Sequence, residues 1–204
     1  MSLNYTKKQL IYYFVGLIIL GFAINCAIIA DLGIGCWDAA YVGLNAKTSL
    51  SVGMWINIFA FIFLVLAAII ERKRIKIECL IASLIIGVSV DSWNLLIFQY
   101  IEISNIPLRS LFFIINILLI GFGAGMYLSS KLPENPIDCL MMVITKHFHI
   151  SITLCKTLIE GSGLVIGFLF NGPIALGTLI LLFAYGPVIQ FFHQYFNKQI
   201  SEHA

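Results

Sequence analysis

A lysine and a glutamate stand four residues apart within one of the apolar stretches of the chain. Lys156 and Glu160 share one face of any helix that contains them, so their side chains can touch. Each ionised group costs about 2.5–3.5 kcal/mol at the centre of a bilayer on insertion scales. Glu160 could bind a coupling proton or cation while Lys156 holds it or a solute carboxylate. Alternatively, the two charges neutralise each other and join their helix to its neighbours.

A third ionisable residue, Asp91, lies between Ser89 and Ser92 in another apolar stretch. A lone carboxylate in such surroundings is expected to be protonated or to face a cavity. Asp91 is therefore either a proton carrier or cation ligand, or a neutral residue that receives hydrogen bonds from the serines beside it and links two helices.

Asp38 and Asp138 each open a short segment that follows a break rich in Gly or Pro. Aspartate is a good residue for the start of a helix and stabilises it by about 1 kcal/mol, which is the structural explanation. The N-terminus of a half-helix inside a membrane is also where transporters hold ligands. Because the pair is repeated, and Trp37 stands beside the first aspartate, both are candidate ligands.

Glycine and proline recur near the end of the chain, around Thr178. Their positions predict an interrupted last span, whose free backbone groups could bind a substrate or ion, although close helix packing is the alternative. The residues concerned are Gly172, Gly177, Gly186 and Pro187. The candidate substrate-binding or ion-binding residues are Asp38, Asp91, Asp138, Lys156, Glu160 and Thr178.

The composition shows what kind of protein carries these residues. Of 204 residues, 60% are hydrophobic and 11% charged, against roughly 25% charged in soluble domains, and the mean hydropathy is +0.99. The chain is therefore expected to lie in a lipid bilayer. Its one basic run, at 72–76, lies between apolar stretches, so no nucleic-acid partner is expected. Enzyme, cofactor and metal motifs were not found, so we expect neither an enzyme nor a bound cofactor.

Six stretches are long enough to cross a bilayer, which takes about 20 residues. They are residues 9–30, 52–70, 77–99, 110–130, 151–170 and 174–196. Two shorter stretches, about 36–46 and 136–147, begin near an aspartate and end near a lysine, as suits a short helix and its dipole. They are too short to span, and are expected to be re-entrant half-helices or helices on the membrane surface.

The two halves of the chain resemble each other at an offset of 100 residues. Gly21-Phe22 falls on Gly121-Phe122, and Leu50-Ser51 falls on Ile150-Ser151. The offset slips by one near the end, where Gly87 falls on Gly186. We therefore predict one membrane domain, residues 1–204, built from a repeat at about 9–100 and another at about 109–198.

The distribution of basic residues predicts the topology. With the N-terminus in the cytoplasm and six spans, nine basic residues lie inside and two outside, a strong positive-inside bias. The inside residues are Lys7, Lys8, Arg72, Lys73, Arg74, Lys76, Lys131, Lys146 and Lys198, and the outside ones are Lys47 and Arg109. Three spans per repeat make the repeats inverted and both termini cytoplasmic. Eight crossings would make the two repeats parallel, but they would place the basic segment 72–76 outside the cell.

Several short motifs occur in a fixed order along the chain. They are the segment 32–53, with its glycine-rich turn, Trp37-Asp38 and Leu50-Ser51-Val52-Gly53, then Pro136-Ile137-Asp138, Glu160, and the segment 172–178 followed by Gly186-Pro187. Together they resemble the motifs of the bacterial YczE/YyaS/YitT family of membrane proteins. Cys36 and Asn171 depart from the pattern, in which proline and glycine are frequent. The resemblance implies a multi-pass protein of the bacterial plasma membrane and carries no settled activity.

Together these features predict an all-α polytopic membrane protein with about six transmembrane helices, two short half-helices and two inverted repeats. The leading functional hypothesis is a secondary transporter or permease for a small polar solute, coupled to protons or cations. A non-transporting scaffold or accessory protein for another pathway is the alternative. A homodimer is possible, since a second copy would enlarge the pathway.

Overall fold

The computed structural model describes residues 6–201, which fold as helices joined by short turns. The α-helices are α1 (Lys7–Ala30), α2 (Cys36–Lys47), α3 (Val52–Glu71), α4 (Leu80–Leu96), α5 (Ile106–Ser129), α6 (Pro136–Phe148), α7 (Ile152–Leu169) and α8 (Leu176–Ser201). Short 3₁₀ turns at Ile77–Cys79 and Phe98–Tyr100 extend α4 at its two ends. The predicted all-α fold is confirmed.

Five of these helical stretches are long and apolar enough to cross a bilayer. They are Lys7–Ala30, Val52–Glu71, Ile77–Tyr100, Ile106–Ser129 and Leu176–Ile200. Helix α7 has 18 residues, which at 1.5 Å per residue extend for about 27 Å, close to the ~30 Å of a hydrocarbon core. Large apolar side chains such as Phe168 and Phe183 are about three-quarters exposed, as is expected where lipid covers them. The protein is a polytopic membrane protein.

Helix starts follow from local sequence. Ser51 and Ser151, which are equivalent in the two halves, each accept a hydrogen bond from the backbone N–H three residues on, at the starts of α3 and α7. Asn105 does the same for α5. Helix α8 continues through Pro187, so the expected interruption there is wrong. Its packing along α5, where Val188 lies against Gly121, holds the helix together despite the lost hydrogen bond.

Helices α1 and α5 form the centre of the bundle. A Cβ atom at Gly16 would lie 2.6 Å from the Gly123 carbonyl oxygen, so only glycine permits this approach. Further along α1, the Ala23 carbonyl accepts a hydrogen bond of 2.8 Å from Asn116, which comes earlier on α5. The two helices therefore run antiparallel, as the first helices of inverted repeats must.

Apart from the contact of α3 with α4, which has hardly any counterpart between α7 and α8 in the described residues, the remaining helices pack in corresponding ways in the two halves. Helix α4 packs on α1 and α8 on α5, while the short helices cross over: α2 packs on α7, and α6 on α3. The backbone also corresponds, since Asp31 and Lys131 both adopt the left-handed conformation after their helices. These correspondences support the predicted repeat.

Contacts near the chain ends show which loops share an end of the bundle. The Lys8 ammonium donates to the Gln199 carbonyl, and the Tyr13 hydroxyl to that of Pro133. At the opposite end, Arg109 forms an ion pair with Asp31. The two termini of the described chain thus lie at one end, as six spans require. That this end is cytoplasmic stays a prediction from the charges.

Candidate functional site

The start of α2 is held inside the bundle by a close approach to α8. Gly33 has a φ of 105°, which favours glycine, and a Cβ atom there would lie 2.6 Å from the Thr178 backbone nitrogen. The Gly177 N–H donates to the Leu32 carbonyl at 2.9 Å. This turn lies between the end of α1 and the start of α2 and packs against α8. The first turn of α2 therefore faces the interior of the bundle.

Trp37 fixes α2 against the other half of the chain. Its indole N–H donates to the Ile159 carbonyl at 3.0 Å, and its ring lies 4.8 Å from that of Phe63. A Cβ atom at Gly163 would lie 2.8 Å from this indole ring, so the glycine makes room for it. The indole therefore sets where the next residue, Asp38, lies relative to α7.

The start of α6 is fixed by a different contact. The Tyr127 hydroxyl of α5 donates to the Asp138 carboxyl at 3.0 Å, and the Asn135 carbonyl accepts the N–H groups of Asp138 and Cys139 at 3.0 Å. Pro136 occupies the first turn, where its missing N–H costs nothing. Asp138 is thus held by a tyrosine of the adjacent span.

The two short helices begin at one central cavity of about 260 Å³. Five of the six predicted residues line it, namely Asp38, Asp138, Lys156, Glu160 and Thr178. Leu20 and Ile24 of α1, with Ile120 and Ala124 of α5, supply apolar walls. Carboxyl groups contributed by different segments of the chain therefore line one cavity.

Several ionisable groups interact electrostatically within the cavity. Lys156 attracts both Asp138 and Glu160, whereas the carboxylates of Asp38 and Glu160 repel each other. The Cys36 thiol and the Glu160 carboxyl line the same cavity. With three acids and one lysine, the cavity has an excess of carboxyl groups over basic ones.

The direct ion pair that the spacing of Lys156 and Glu160 permits is not formed. Within residues 6–201, the ion pairs join Glu71 to Lys73 and Lys76, and Asp31 to Arg109. Lys156 is exposed, and it attracts the carboxyl groups of both Asp138 and Glu160 without a close contact to either. Mutual neutralisation by a close pair therefore does not explain why both residues are retained.

Asp91 lies outside this cavity and has a different set of contacts. Its carboxyl accepts hydrogen bonds from the Ser51 hydroxyl at 2.5 Å and the Gly53 N–H at 2.9 Å, so it ties α4 to the start of α3. We expected Asp91 to accept hydrogen bonds from the serines beside it in the sequence. Ser89 instead donates its hydroxyl to the Ile18 carbonyl. Residues one or two positions apart on a helix face different directions.

Thr178 is 2% exposed and helps to start α8. Its hydroxyl accepts a hydrogen bond from the Ala175 N–H at 3.4 Å, and its own N–H donates to the Ala175 carbonyl at 3.0 Å. It therefore combines a cavity position with a structural role at the turn before α8.

The cavity is also lined by tyrosines that the sequence analysis did not identify as candidates. Tyr41, Tyr127 and Tyr185 all contribute, and the Tyr185 hydroxyl donates at 2.8 Å to the buried Asn116. Tyr41 lies three residues after Asp38 on α2, and this helical spacing could have identified it as a cavity residue. Within the described chain, no group of three or more His, Cys, Asp or Glu residues is arranged to hold a metal ion.

Known proteins are similar to this chain over most of its length. The family described as "Family of unknown function (DUF6198)" matches residues 7–194. The chain is 33% identical over 181 residues to "Uncharacterized protein YyaS" of Bacillus subtilis (strain 168), covering 89% of this chain and 90% of that protein. It is 31% identical over 190 residues to "Uncharacterized membrane protein YczE" of the same organism, covering 91% and 87%.

A protein of Haemophilus influenzae is 28% identical over 174 residues, covering 85% of this chain and 78% of that one. No solved structure matches the chain significantly. The family match includes both short helices, and the relatives confirm the resemblance to YczE and YyaS. The chain belongs to the DUF6198 family of membrane proteins, with YyaS and YczE among its relatives.

Proposed function

We propose that this protein is a secondary transporter for a small polar solute, coupled to protons or another cation. The observation that carries the proposal is the cavity where α2 and α6 begin, with Asp38, Asp138 and Glu160 in its wall. Transporters built from inverted halves bind solute and coupling ion at such broken-helix termini, between the repeats. We accordingly take the halves as inverted repeats and the membrane as the bacterial plasma membrane.

The size and polarity of the cavity favour a small solute. Its volume of about 260 Å³ is below the ~300–1,000 Å³ of pockets that hold drug-sized ligands. Placing ionisable groups in a bilayer costs about 2.5–3.5 kcal/mol each on insertion scales. Asp138, Lys156 and Glu160 are retained around one cavity despite this cost, which supports a role in binding.

The carboxyl groups also provide a means of coupling. Because Asp38 and Glu160 repel each other, a proton or cation that binds one of them relieves the repulsion. In the proposed mechanism Glu160 carries the coupling ion, Asp38 shares it, and Lys156 holds the solute or restores charge balance. Binding of the ion and of the solute are then linked through the same few side chains.

Flux measurements test this proposal. Purified protein in liposomes that enclose a pH-sensitive dye is screened with small amino acids, amines, carboxylates and sugars under imposed proton and sodium gradients. We expect one class to produce solute-dependent flux, and Glu160→Gln or Asp38→Asn to reduce it at least about a hundredfold, as for loss of an essential group. Asp31→Asn, which removes an exposed carboxyl outside the cavity, is the matched control.

The combined variant Glu160→Gln/Lys156→Met separates a coupling role from a structural one. Since the two residues form no close ion pair, we expect this double variant to unfold at nearly the parental temperature in detergent and to be inactive. A stable double variant with normal flux would rule out the coupling role of Glu160. If flux is absent under every gradient while another membrane protein co-purifies, the accessory function is the better explanation.

A further inference from the structure

Two pairs of helices occupy equivalent positions in the two halves. The offset of 100 residues pairs α3 with α7, and with the slip of one residue it pairs α4 with α8. Ser51 then corresponds to Ser151, Gly87 to Gly186, and Asp91 to Gln190. We call the contact between α3 and α4 the first seam, and that between α7 and α8 the second seam.

The first seam is closed by glycine packing and by Asp91. A Cβ atom at Gly87 would lie 2.7 Å from the Gly53 carbonyl oxygen, so the two backbones touch. Asp91 then accepts hydrogen bonds from Ser51 and from the Gly53 N–H, one of the free N–H groups at the start of α3. Glycine contact and a hydrogen-bonded side chain together hold α4 on α3.

The second seam is open. Within the described residues, α8 packs along α5 and makes hardly any contact with α7. Nothing lies within 4 Å of the position of a Cβ atom at Gly186, and Gln190 is exposed. Ser151 caps α7 through its oxygen, which leaves its hydroxyl proton available to an acceptor. The serine and the α4 glycine of the first seam have counterparts here, Ser151 and Gly186, which lie apart, whereas Thr153 stands where the first seam has Gly53.

We propose that α8 closes onto α7 at a wider spacing than that of α4 on α3, with the Gln190 side-chain oxygen accepting the Ser151 hydroxyl, and that the two seams are alternating gates of the cavity. Since Thr178, Leu181 and Tyr185 of α8 line the cavity, movement of α8 changes access to it. A gate has meaning only for a cavity that exchanges solute, so the proposal rests on the proposed function.

Helix α8 contains a feature that suits this movement and that α4 lacks. Pro187 follows Gly186 inside α8, whereas Val88 follows Gly87 in α4. Proline removes one backbone hydrogen bond and permits a helix to bend. The bend would lie between the cavity-lining turns of α8 and Gln190, so the part beyond Pro187, which packs on α5 through Val188 and His193, can tilt along α5 toward α7.

A wedge at Gly186 provides the first test. Gly186→Leu fits the open second seam but obstructs closure, and Gly161→Leu is the matched control. Gly161 also has nothing within 4 Å, and its equivalent on α3, Phe61, is already a large side chain that is 52% exposed. Both variants should therefore fold, as judged by thermal unfolding in detergent.

The reporter is Cys36, which lines the cavity, in protein whose other four cysteines are replaced by alanine. A membrane-impermeant cationic methanethiosulfonate is applied from either face of sealed vesicles. We expect labelling from the face that bears Ser151. Labelling from the opposite face, which needs the second seam closed, should fall at least about tenfold in Gly186→Leu and stay within about twofold in Gly161→Leu.

Cross-linking gives the second test and does not depend on an identified solute. Cysteine pairs at 51 with 91 and at 151 with 190 are placed in cysteine-free protein, singly and together, and linked with a short thiol reagent. We expect the 51–91 pair to link readily, the 151–190 pair more slowly, and few molecules to carry both links. Gly186→Leu should slow the 151–190 link alone.

The outcomes separate the gate from the transport function. A 151–190 pair that never links while 51–91 links, or doubly linked molecules forming freely, overturns the gate. Flux that continues at the full rate after 151–190 is linked also overturns the gate while leaving transport intact. Exclusive linking with no flux for any tested solute supports the alternating seams and instead contradicts the proposed transport.

Discussion

At the scale of single residues, the structure divides the intramembrane carboxyl groups into two kinds. Asp38, Asp138 and Glu160 face a cavity, whereas Asp91 uses its carboxyl to hold one helix to another. In the sequence they are the same kind of residue, carboxylic acids within or beside long apolar stretches. The difference follows from which backbone and side-chain donors lie opposite, and for Asp91 both donors come from a different helix.

Asp91 therefore provides a prediction about stability. Asp91→Ala leaves the half-buried Ser51 hydroxyl and the buried Gly53 N–H without their acceptor, and we expect a loss of about 1–3 kcal/mol, mainly from the buried N–H. Gln190→Ala, at the equivalent but exposed position, should change stability by less than about 0.5 kcal/mol. Thermal unfolding of both variants in the same detergent measures this. Equal destabilisation would mean that the two seams are alike in the folded state.

At the scale of helices, the fold depends on short elements packing across the halves. The starts of α2 and α6 were identifiable from Gly or Pro followed by aspartate, because those residues favour a break and then a helix N-terminus. Their partners were not identifiable. That α2 packs on α7 depends on the fit of Trp37 over Gly163, and local periodicity does not encode which helix meets which.

That fit makes Gly163 a sensitive position. Gly163→Ala places a methyl group where the indole ring of Trp37 lies, 2.8 Å away, and we expect a loss of about 1–3 kcal/mol from overpacking. Gly161→Ala on the same helix has open space and should be neutral or slightly stabilising, since alanine favours helix over glycine. Unfolding temperatures test the pair. A neutral Gly163→Ala would show that α2 can shift without cost.

At the scale of the whole molecule, the topology follows from how loops group at the two ends. Lys8 meets Gln199 at one end, and Asp31 meets Arg109 at the other. The basic loop at 72–76 borders a small cleft lined also by Cys139 and Val143 of α6. Six crossings, with α2 and α6 between them, account for this grouping.

A cysteine-labelling experiment determines which end of the bundle faces the cytoplasm. Single cysteines replacing Arg74 and, as the matched position at the other end, Glu102 are labelled with an impermeant maleimide in intact cells and in inverted vesicles. Because basic loops are retained in the cytoplasm, we expect Arg74→Cys to label only in inverted vesicles and Glu102→Cys only in intact cells. The reverse pattern would invert the proposed topology.

The sequence by itself determined the membrane environment, the spans, the two short helices and a list of candidate polar residues. It could do so because a bilayer requires long apolar helices and makes every ionisable residue within them costly, which marks such residues individually. The tertiary structure decided which of them meet. Five line one cavity, Asp91 closes a seam, and Lys156 and Glu160 form no close pair, because these distances depend on helix crossings and rotamers that bring together residues far apart in the chain.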